Sequence, residues 1–114
     1  MSDRSATGRK SRRKGAESER ELAKILTAAG FPCRRGCQYD GRGAADVIGL
    51  SGIHIESKRV ERGLNLVEAL KQSERDAKPG ELPAVFHRRN REPWQVTMSL
   101  ETWLELYRKA HNET

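Results

Sequence analysis

The segment from residue 45 to residue 58 constrains the fold more than any other part of this chain. It contains two apolar runs separated by Ser51 and Gly52, a pattern that predicts a β-hairpin. Because successive side chains along a strand point to opposite faces, Glu56 and Lys58 are expected to share one face of the second strand. Such a pair is also common on solvated surfaces, so the pair alone does not indicate a function.

The loop of this hairpin decides whether Asp46, in the first run, can meet Glu56. A two-residue turn at Ser51 and Gly52 would leave Asp46 on the opposite face. A three-residue loop that also includes Leu50, with Gly52 in the left-handed conformation, would set Asp46 directly opposite Glu56. Side chains in that position are about 4.5 to 5.5 Å apart at Cβ, close enough to share a divalent cation. We therefore expect the longer loop, or a bulge or bend near Asp46.

The basic excess of the chain is concentrated at its N-terminus. The 114 residues carry a formal net charge of +6, and residues 1–14 include six basic residues and one acidic residue. A segment so rich in Ser, Gly, Arg and Lys cannot bury enough apolar surface to order itself. We therefore expect residues 1–14 to form a flexible basic tail and residues 15–114 to form a single domain. The tail would bind a polyanion such as nucleic acid, the alternative being a tail that only aids solubility.

The apolar content of the chain also bounds its compartment. No apolar run approaches the length of a membrane span, and no signal-peptide core follows the N-terminus, so we expect a cytoplasmic protein with no membrane partner. Cys33 and Cys37 are the only cysteines, and the three histidines are scattered along the chain. This spacing does not favour a zinc site, and two reduced thiols are the expectation for a reducing cytosol.

The remaining patterns predict the order helix, three strands, helix, two strands, helix. Helix starts are indicated near Gly15, at an Asn65 N-cap with Glu68 completing a capping box, and at a Ser99 cap. The apolar residues expected to be buried on the first two helices are Leu22, Ile25, Leu26 and Ala29, then Leu66, Val67, Leu70 and Ala77. On the last helix, Leu100, Trp103, Leu104 and Tyr107 recur at helical spacing. We predict an α/β fold in which helices flank a mixed sheet, with the second helix crossing over to a further strand.

Two side-chain groups on the helices have more than one interpretation. Trp103 and Tyr107 indicate packing in the core or in a dimer interface rather than a platform for stacking bases. Glu19 lies seven residues before Leu26, within about 20° of it around the helix axis. That position brings Glu19 close to the buried stripe, although an acid in a first turn can also simply favour the helix dipole.

Three acids and a lysine that converge at one sheet edge predict metal-assisted hydrolysis. Asp46 and Glu56 would hold Mg²⁺, with Mn²⁺ as a substitute, and the backbone carbonyl of Ser57 would be a further ligand. Lys58 would orient or help deprotonate a metal-bound water, and Glu19 could reach the same water or a second ion. Without the cation, these acids would repel an anionic phosphodiester.

These motifs resemble those of the PD-(D/E)xK nucleases, and specifically the archaeal-type Holliday-junction resolvases that are also found in phages. The similarity covers residues 13–58. The pattern K-G-A-x-x-E-R-E places the family's N-terminal active-site glutamate on Glu19. The family's metal-binding acids and its lysine fall on Asp46, Glu56 and Lys58. One departure is an alanine immediately before Asp46, where the family name has proline; this position varies within the superfamily.

The resemblance implies a restriction-endonuclease-like fold and a homodimer that makes two symmetric nicks in branched double-stranded DNA, with no small-molecule substrate. A four-way junction has near two-fold symmetry, so its resolution requires paired nicks. Basic residues would hold the DNA arms through phosphates, giving structure selectivity with little sequence information. The candidates are Arg9, Lys10, Arg12, Arg13, Lys14, Arg34, Arg35, Arg42, Arg59 and Arg62.

Two alternatives remain compatible with the sequence. Another nuclease of the superfamily, such as a flap, nicking or restriction-type enzyme, would share the catalytic residues and differ only in substrate. A non-catalytic nucleic-acid-binding module could keep the fold, but it would have no reason to retain Glu19, Asp46, Glu56 and Lys58 together.

Overall fold

The computed structural model describes residues 2–37, 40 and 43–112, with side chains described from Arg13 onward. The helices and strands, in chain order, are α1 Ser2–Ala28, β1 Arg34–Arg35, β2 Val47–Ile48, β3 Ile53–Arg59, α2 Leu66–Asp76, β4 Leu82–Arg88, β5 Gln95–Thr97 and α3 Leu100–Asn112. Within these described ranges, no helix combines the length and the apolar character needed to cross a membrane.

The five strands form one mixed sheet in the order β1-β2-β3-β4-β5. The first three strands make an antiparallel meander, β3 and β4 are parallel, and β5 returns antiparallel to β4. A parallel neighbour requires a crossover connection, and α2 provides it. The predicted order of elements and the α/β class with a mixed sheet are therefore confirmed. The finer restriction-endonuclease-like class stays a prediction.

The main core lies between α1 and the sheet. Leu22 and Ala23 of α1 pack with Val47, Ile55 and other apolar residues of the strands. Ile55 is fully buried, as the alternation along β3 predicted.

The predicted buried stripe of α1 was wrong at two positions. Ile25 is 45% exposed, and Ala29 is exposed beyond the end of the helix. The buried stripe instead includes Ser18, Leu22 and Ala23, which share one side of the helix at the spacing of a helical turn. Ile25 lies seven residues after Ser18 and points in nearly the same direction around the axis, so direction around the helix does not account for its exposure.

Helix α1 is longer than the sequence suggested, since it begins at Ser2 rather than near Gly15. No proline interrupts residues 2–14, and extending an existing helix is much easier than nucleating a new one. The local glycines and charges were therefore poor indicators of a boundary. The side chains of residues 2–12 lie outside the described part of the chain. The division into a flexible tail and a domain at residue 14 stays a prediction.

Helix α2 has the predicted N-cap and a different buried face. The Asn65 side chain accepts a hydrogen bond from the Glu68 backbone N–H at 3.1 Å, as the capping box requires. The buried residues of this helix are Ala69 and Ser73, whereas Val67 is 64% exposed. The other three residues predicted to be buried are only partly so. Small side chains at the contact let the helix backbone approach the sheet closely, which hydrophobicity alone could not indicate.

Helix α3 is capped as predicted but packs differently. The Ser99 hydroxyl accepts a hydrogen bond from the Thr102 backbone N–H at 3.1 Å, and Thr102 is the buried residue of the helix. Trp103 and Tyr107 stack with ring centroids 5.0 Å apart, and each is 48% exposed. They do not enter the core of the single chain. Their alternative role in a dimer interface stays a prediction.

Glu21 connects α1 to the end of β4 and to the residue before β5. Its carboxylate accepts hydrogen bonds from Arg88 at 2.8 Å and from the Trp94 indole N–H at 3.0 Å, and Arg59 lies 4.0 Å away. The hydrogen bond from Arg88 lowers the pKa of Glu21, and the Trp94 bond and nearby positive charges act in the same direction. Glu21 is therefore a structural acid, in contrast to Glu19 two residues earlier.

We expect Glu21→Ala to lower the free energy of unfolding by about 1 to 2 kcal/mol at neutral pH, because it removes a charge-assisted and a neutral hydrogen bond from a partly exposed site. The lowered pKa means that this contribution is present above the unfolded pKa of the acid and is lost as the pH falls through the folded pKa. Urea denaturation measures both effects. Glu17→Ala, at an exposed position of the same helix, is the control, and an equal loss there would contradict the assignment.

Candidate active site

The register of the hairpin places Asp46 opposite Glu56. Val47 pairs with Ile55, and the Asp46 backbone N–H donates to the Ile55 carbonyl at 2.9 Å. Asp46 lies at a bend immediately before β2, while Glu56 lies in the middle of β3. The next pair along this register is Asp46 with Glu56, so the two carboxylates share one side of the sheet.

The register is the one predicted for the longer loop, although the chain turns more tightly than that loop would. Residues 49–52 connect β2 to β3, and Gly52 has a φ of 81°. The Ile53 N–H closes the loop by donating to the Leu50 carbonyl at 3.1 Å. Glycine adopts this left-handed conformation without the penalty that a Cβ would bring. The predicted register and the left-handed Gly52 are therefore confirmed. The three-residue loop is not, because the hydrogen bond from Ile53 to Leu50 makes Ser51 and Gly52 the two central residues of the turn.

Glu56 is a buried acid next to a second acid. Only 2% of Glu56 is exposed, and burial raises the pKa of Glu56, with the Asp46 charge raising it further. A hydrogen bond between Glu56 Oε1 and His54 Nε2, 3.0 Å apart, acts in the opposite direction. A cation at this position would relieve both causes of the raised pKa, since it would replace lost solvation and screen the two carboxylates.

The Asp46 carboxylate is oriented by the neighbouring strand. Its Oδ2 accepts a hydrogen bond from the Ser57 backbone N–H at 2.8 Å, which holds the side chain against β3. The carboxylate still has lone pairs available for a cation, since each ionised oxygen can accept more than one bond. The predicted role of the Ser57 carbonyl as a metal ligand stays a prediction.

Lys58 follows Glu56 on the same face of β3. Its Nζ donates to the Gln72 side-chain oxygen at 3.3 Å, so α2 contributes a polar partner that orients the lysine. Both side chains are partly buried. The sequence could not predict which way Gln72 points, because nothing in the pattern of α2 indicated which face of the helix would lie against β3.

Glu19 reaches the same region from α1. Its carboxylate accepts a hydrogen bond from Arg35 Nε at 2.6 Å, and its side chain is 17% exposed. Burial raises the pKa of Glu19, the Arg35 hydrogen bond opposes this, and the Asp46 charge raises it further. Glu19, Arg35 and Asp46 line an open pocket of about 360 Å³. Helix α1 and the hairpin therefore each present one acid, Glu19 and Asp46, to this pocket, whereas Glu56 is buried and does not line it.

Two further residues join Glu56 that the sequence did not indicate as ligands. The ligand atoms of His54, Glu56 and Asp76 all lie within 4.8 Å of one another. His54 is 1% exposed and shares a strand face with Glu56, so alternation could have identified it. Asp76 ends α2, and its position depends on tertiary packing that no local pattern reveals. Two carboxylates suit a hard cation such as Mg²⁺, whereas an added imidazole favours transition metals.

Several of the arginines and lysines predicted to bind DNA are held by acids in the free protein. Arg34 forms an ion pair with Asp40 at 2.7 Å, and hydrogen bonds from Arg34 hold the pKa of Asp40 well below its usual range. Lys14 lies 3.0 Å from Glu61. DNA phosphates would have to compete with these carboxylates for the basic side chains.

The other predicted DNA contacts vary in their surroundings. Arg59 donates to the Asn90 side-chain oxygen at 2.6 Å, while Arg13 and Arg62 are exposed. Arg35 is bound to Glu19 as described above. Arg42 and the side chains of Arg9, Lys10 and Arg12 lie outside the described part of the chain.

Comparisons with protein-family models, curated proteins and solved structures find no match to this chain. Its function is therefore argued from the geometry of its own residues.

We expect Glu56→Gln to raise the free energy of unfolding on the order of 1 kcal/mol in metal-free buffer at neutral pH, because it removes a buried negative charge. The raised pKa of Glu56 leads to the same conclusion. Between the unfolded and folded pKa values of Glu56 the folded state binds more protons than the unfolded state, so the free energy of unfolding falls as the pH rises through this range. Thermal and urea denaturation measure the change.

Mg²⁺ should stabilise the unsubstituted protein by about 1.4 kcal/mol at ten times its Kd, with a smaller effect on Glu56→Gln. Glu68→Gln, at an exposed acid near the start of α2, should respond to Mg²⁺ as the unsubstituted protein does. Equal stabilisation of all three proteins would place the cation elsewhere.

Proposed function

We propose that this protein is a Mg²⁺-dependent, structure-selective DNA endonuclease that resolves four-way junctions by paired symmetric nicks. The observation that carries the proposal is the position of Asp46 opposite Glu56 across the hairpin, with Lys58 on the same strand face and Glu19 at the adjoining pocket. These four residues are those to which the resemblance assigns catalysis, and they come from three separate elements of the fold.

Each side chain has a distinct task in this proposal. Asp46 and Glu56 would hold the cation, which supplies Lewis-acid stabilisation of phosphate charge and lowers the pKa of a bound water. Lys58, positioned by Gln72 at 3.3 Å, would orient the attacking water and offset charge on the phosphate. Glu19 would accept a proton or hydrogen bond from that water, since its own pKa is raised by burial and thus lies closer to neutrality than that of an exposed acid.

The partners follow from the proposed reaction. Branched double-stranded DNA would be held through its phosphates by the basic residues, and a homodimer would supply one site for each of the two strands to be nicked. The fold would then be the restriction-endonuclease-like variant of the mixed α/β class. The parallel β3–β4 pair and the antiparallel meander before it support this assignment.

Glu56→Gln should abolish Mg²⁺-dependent cleavage of a synthetic four-way junction, lowering the rate at least about a hundredfold. Its affinity for the junction, measured by gel shift without Mg²⁺, should be kept or rise slightly, because the amide has nearly the shape of the acid and lacks a charge that repels phosphate. Glu68→Gln is the matched control and should cut normally. A Glu56→Gln protein that still cuts would exclude the proposed site.

Substrate preference separates the resolvase from other nucleases of the superfamily. The cleavage of a four-way junction should exceed that of a linear duplex built from the same arms, and the two nicks should lie symmetrically about the branch point. Equal rates on the two substrates would support a less selective nuclease. Binding without any metal-dependent cleavage would support the non-catalytic module.

Removing the charge of the N-terminal segment should weaken junction binding more than it slows cleavage of bound junction. Replacing Arg4, Arg9, Lys10 and Arg12 with glutamine removes four positive charges while leaving the chain length unchanged. The slope of log affinity against log salt concentration should fall in magnitude by up to about 3 to 4 if each residue contacts a phosphate. If the affinity for the junction and its salt dependence are both unchanged, the N-terminal segment does not bind DNA and only aids solubility.

A further inference from the structure

Helix α3 and the strand before it carry several exposed apolar side chains. Leu100 is 71% exposed, and Val96, Trp103 and Tyr107 are each 48% exposed. These four residues lie within a short stretch of chain and include half of the large exposed hydrophobic residues in the described part of the protein. Trp103 and Tyr107 are in contact with each other, and Leu100 precedes them on the same helix. Apolar residues scattered singly over a surface need no explanation, but several on one helix indicate an interaction surface.

Helix α3 buries little of its own surface against the rest of the chain. The helix has 13 residues, of which only Thr102 is buried. A helix of this length is marginally stable by itself in water, and most helices in proteins are stabilised by burial of an apolar face. The outward direction of α3, opposite Thr102, carries Leu100, Leu104 and Tyr107 by helical periodicity, with Trp103 at its edge. We call Leu100, Trp103, Leu104 and Tyr107 the α3 face.

We propose that the α3 face is the homodimer interface, in which α3 packs antiparallel against α3 of a second copy about a two-fold axis near Leu104. This inference deepens the proposed function, because paired nicks require two copies, but the association itself needs neither DNA nor metal.

The charges along α3 favour a second copy of the same helix as the occupant. The first half of the helix carries Glu101 and Glu105, and the second half carries Arg108 and Lys109. An antiparallel pair sets the acidic half of one helix against the basic half of the other, while a parallel pair would set like charges together. The two helix dipoles are also opposed favourably in the antiparallel arrangement. DNA is a poorer occupant, because two carboxylates would face its phosphates.

One pair of charges tests the arrangement directly. Glu101 and Arg108 are seven residues apart and therefore lie on the same flank of the helix, about 20° apart around its axis. With the two-fold axis near Leu104, Glu101 of each copy faces Arg108 of the other. The symmetry makes this contact occur twice, as expected for a surface that pairs with itself.

The size of the surface indicates a dimer of modest affinity. A standard interface buries about 800 Å² on each partner, which exceeds what the outward side of a single helix about 20 Å long can supply. Val96 on the edge strand β5 adjoins α3 in the chain and is exposed, so it is expected to extend the interface. We expect a dissociation constant in the micromolar range.

Sedimentation of the full chain in metal-free buffer without DNA tests the interface. The unsubstituted protein should be dimeric at tens of micromolar, and Leu100→Glu should raise the dissociation constant at least about tenfold, because it places a carboxylate in the apolar contact. Val67→Glu is the matched control, since Val67 is a similarly exposed apolar residue of α2, at 64%, and should leave the dimer unchanged. Circular dichroism confirms that the variants remain folded.

A charge exchange distinguishes self-pairing from any other contact. Glu101→Arg and Arg108→Glu should each weaken the dimer alone, since each brings like charges together across the axis. A mixture of the two variants should form heterodimers, because the two substituted side chains then face each other with opposite charges at one contact. At the other contact, the unsubstituted Glu101 of one copy faces the unsubstituted Arg108 of the other. Restored association on mixing supports the antiparallel pair, and its absence while each variant alone is weakened overturns that arrangement.

Other outcomes also decide the question. A monomeric unsubstituted protein at 100 µM, or a Leu100→Glu protein that dimerises as the unsubstituted protein does, overturns the interface. If Leu100→Glu weakens junction binding without changing the mass of the free protein, the surface binds DNA instead. Cleavage is measured separately with the Glu56→Gln variant, which should dimerise normally, so a failed nuclease and a failed interface give different results.

Discussion

The structure depends on one cross-strand relation, the placement of Asp46 opposite Glu56. This register is set at a turn that needs one residue in the left-handed conformation, and Gly52 adopts that conformation with a φ of 81°. A slip of a single residue would move every side chain of the strand to the other face, which would separate the acids and also expel Ile55 from the core. The core and the acidic site are therefore specified by the same pairing, and neither can be changed without the other.

Burying Glu56 beside a second acid is a local cost that the rest of the fold must support. The sheet is covered by α1 on one side and by α2 on the other, and the small residues Ala69 and Ser73 let α2 approach closely. His54 favours the ionised form of Glu56 through a hydrogen bond of 3.0 Å. Glu21 contributes stability elsewhere, by joining α1 to the strands. Strained or costly groups of this kind are typical of functional sites, where surrounding structure maintains them.

Local chemistry in the sequence was sufficient for the left-handed Gly52 and for the cap at Asn65, because glycine conformation and capping act over a few residues. It failed where the result depends on distant packing. The exposure of Val67 and the extension of α1 to Ser2 follow from tertiary contacts and helix propagation, which periodicity does not contain. Asp76 comes close to Glu56 only because α2 crosses the sheet in a particular direction. The four predicted catalytic positions were identified from motif and alternation, whereas their supporting residues required the fold.

The two proposals start from features of different kinds. Glu56 is a buried carboxylate beside a second acid, and Leu100 on α3 is an apolar side chain that is 71% exposed. The two regions are connected through the sheet, since β5 leads directly into α3 and pairs with β4, which pairs with β3. A dimer formed through α3 would therefore fix the separation and orientation of two Glu56 sites through a short and rigid path. Such a fixed geometry is what simultaneous cutting of a two-fold symmetric substrate requires, and neither a flexible tether nor a lone copy would provide it.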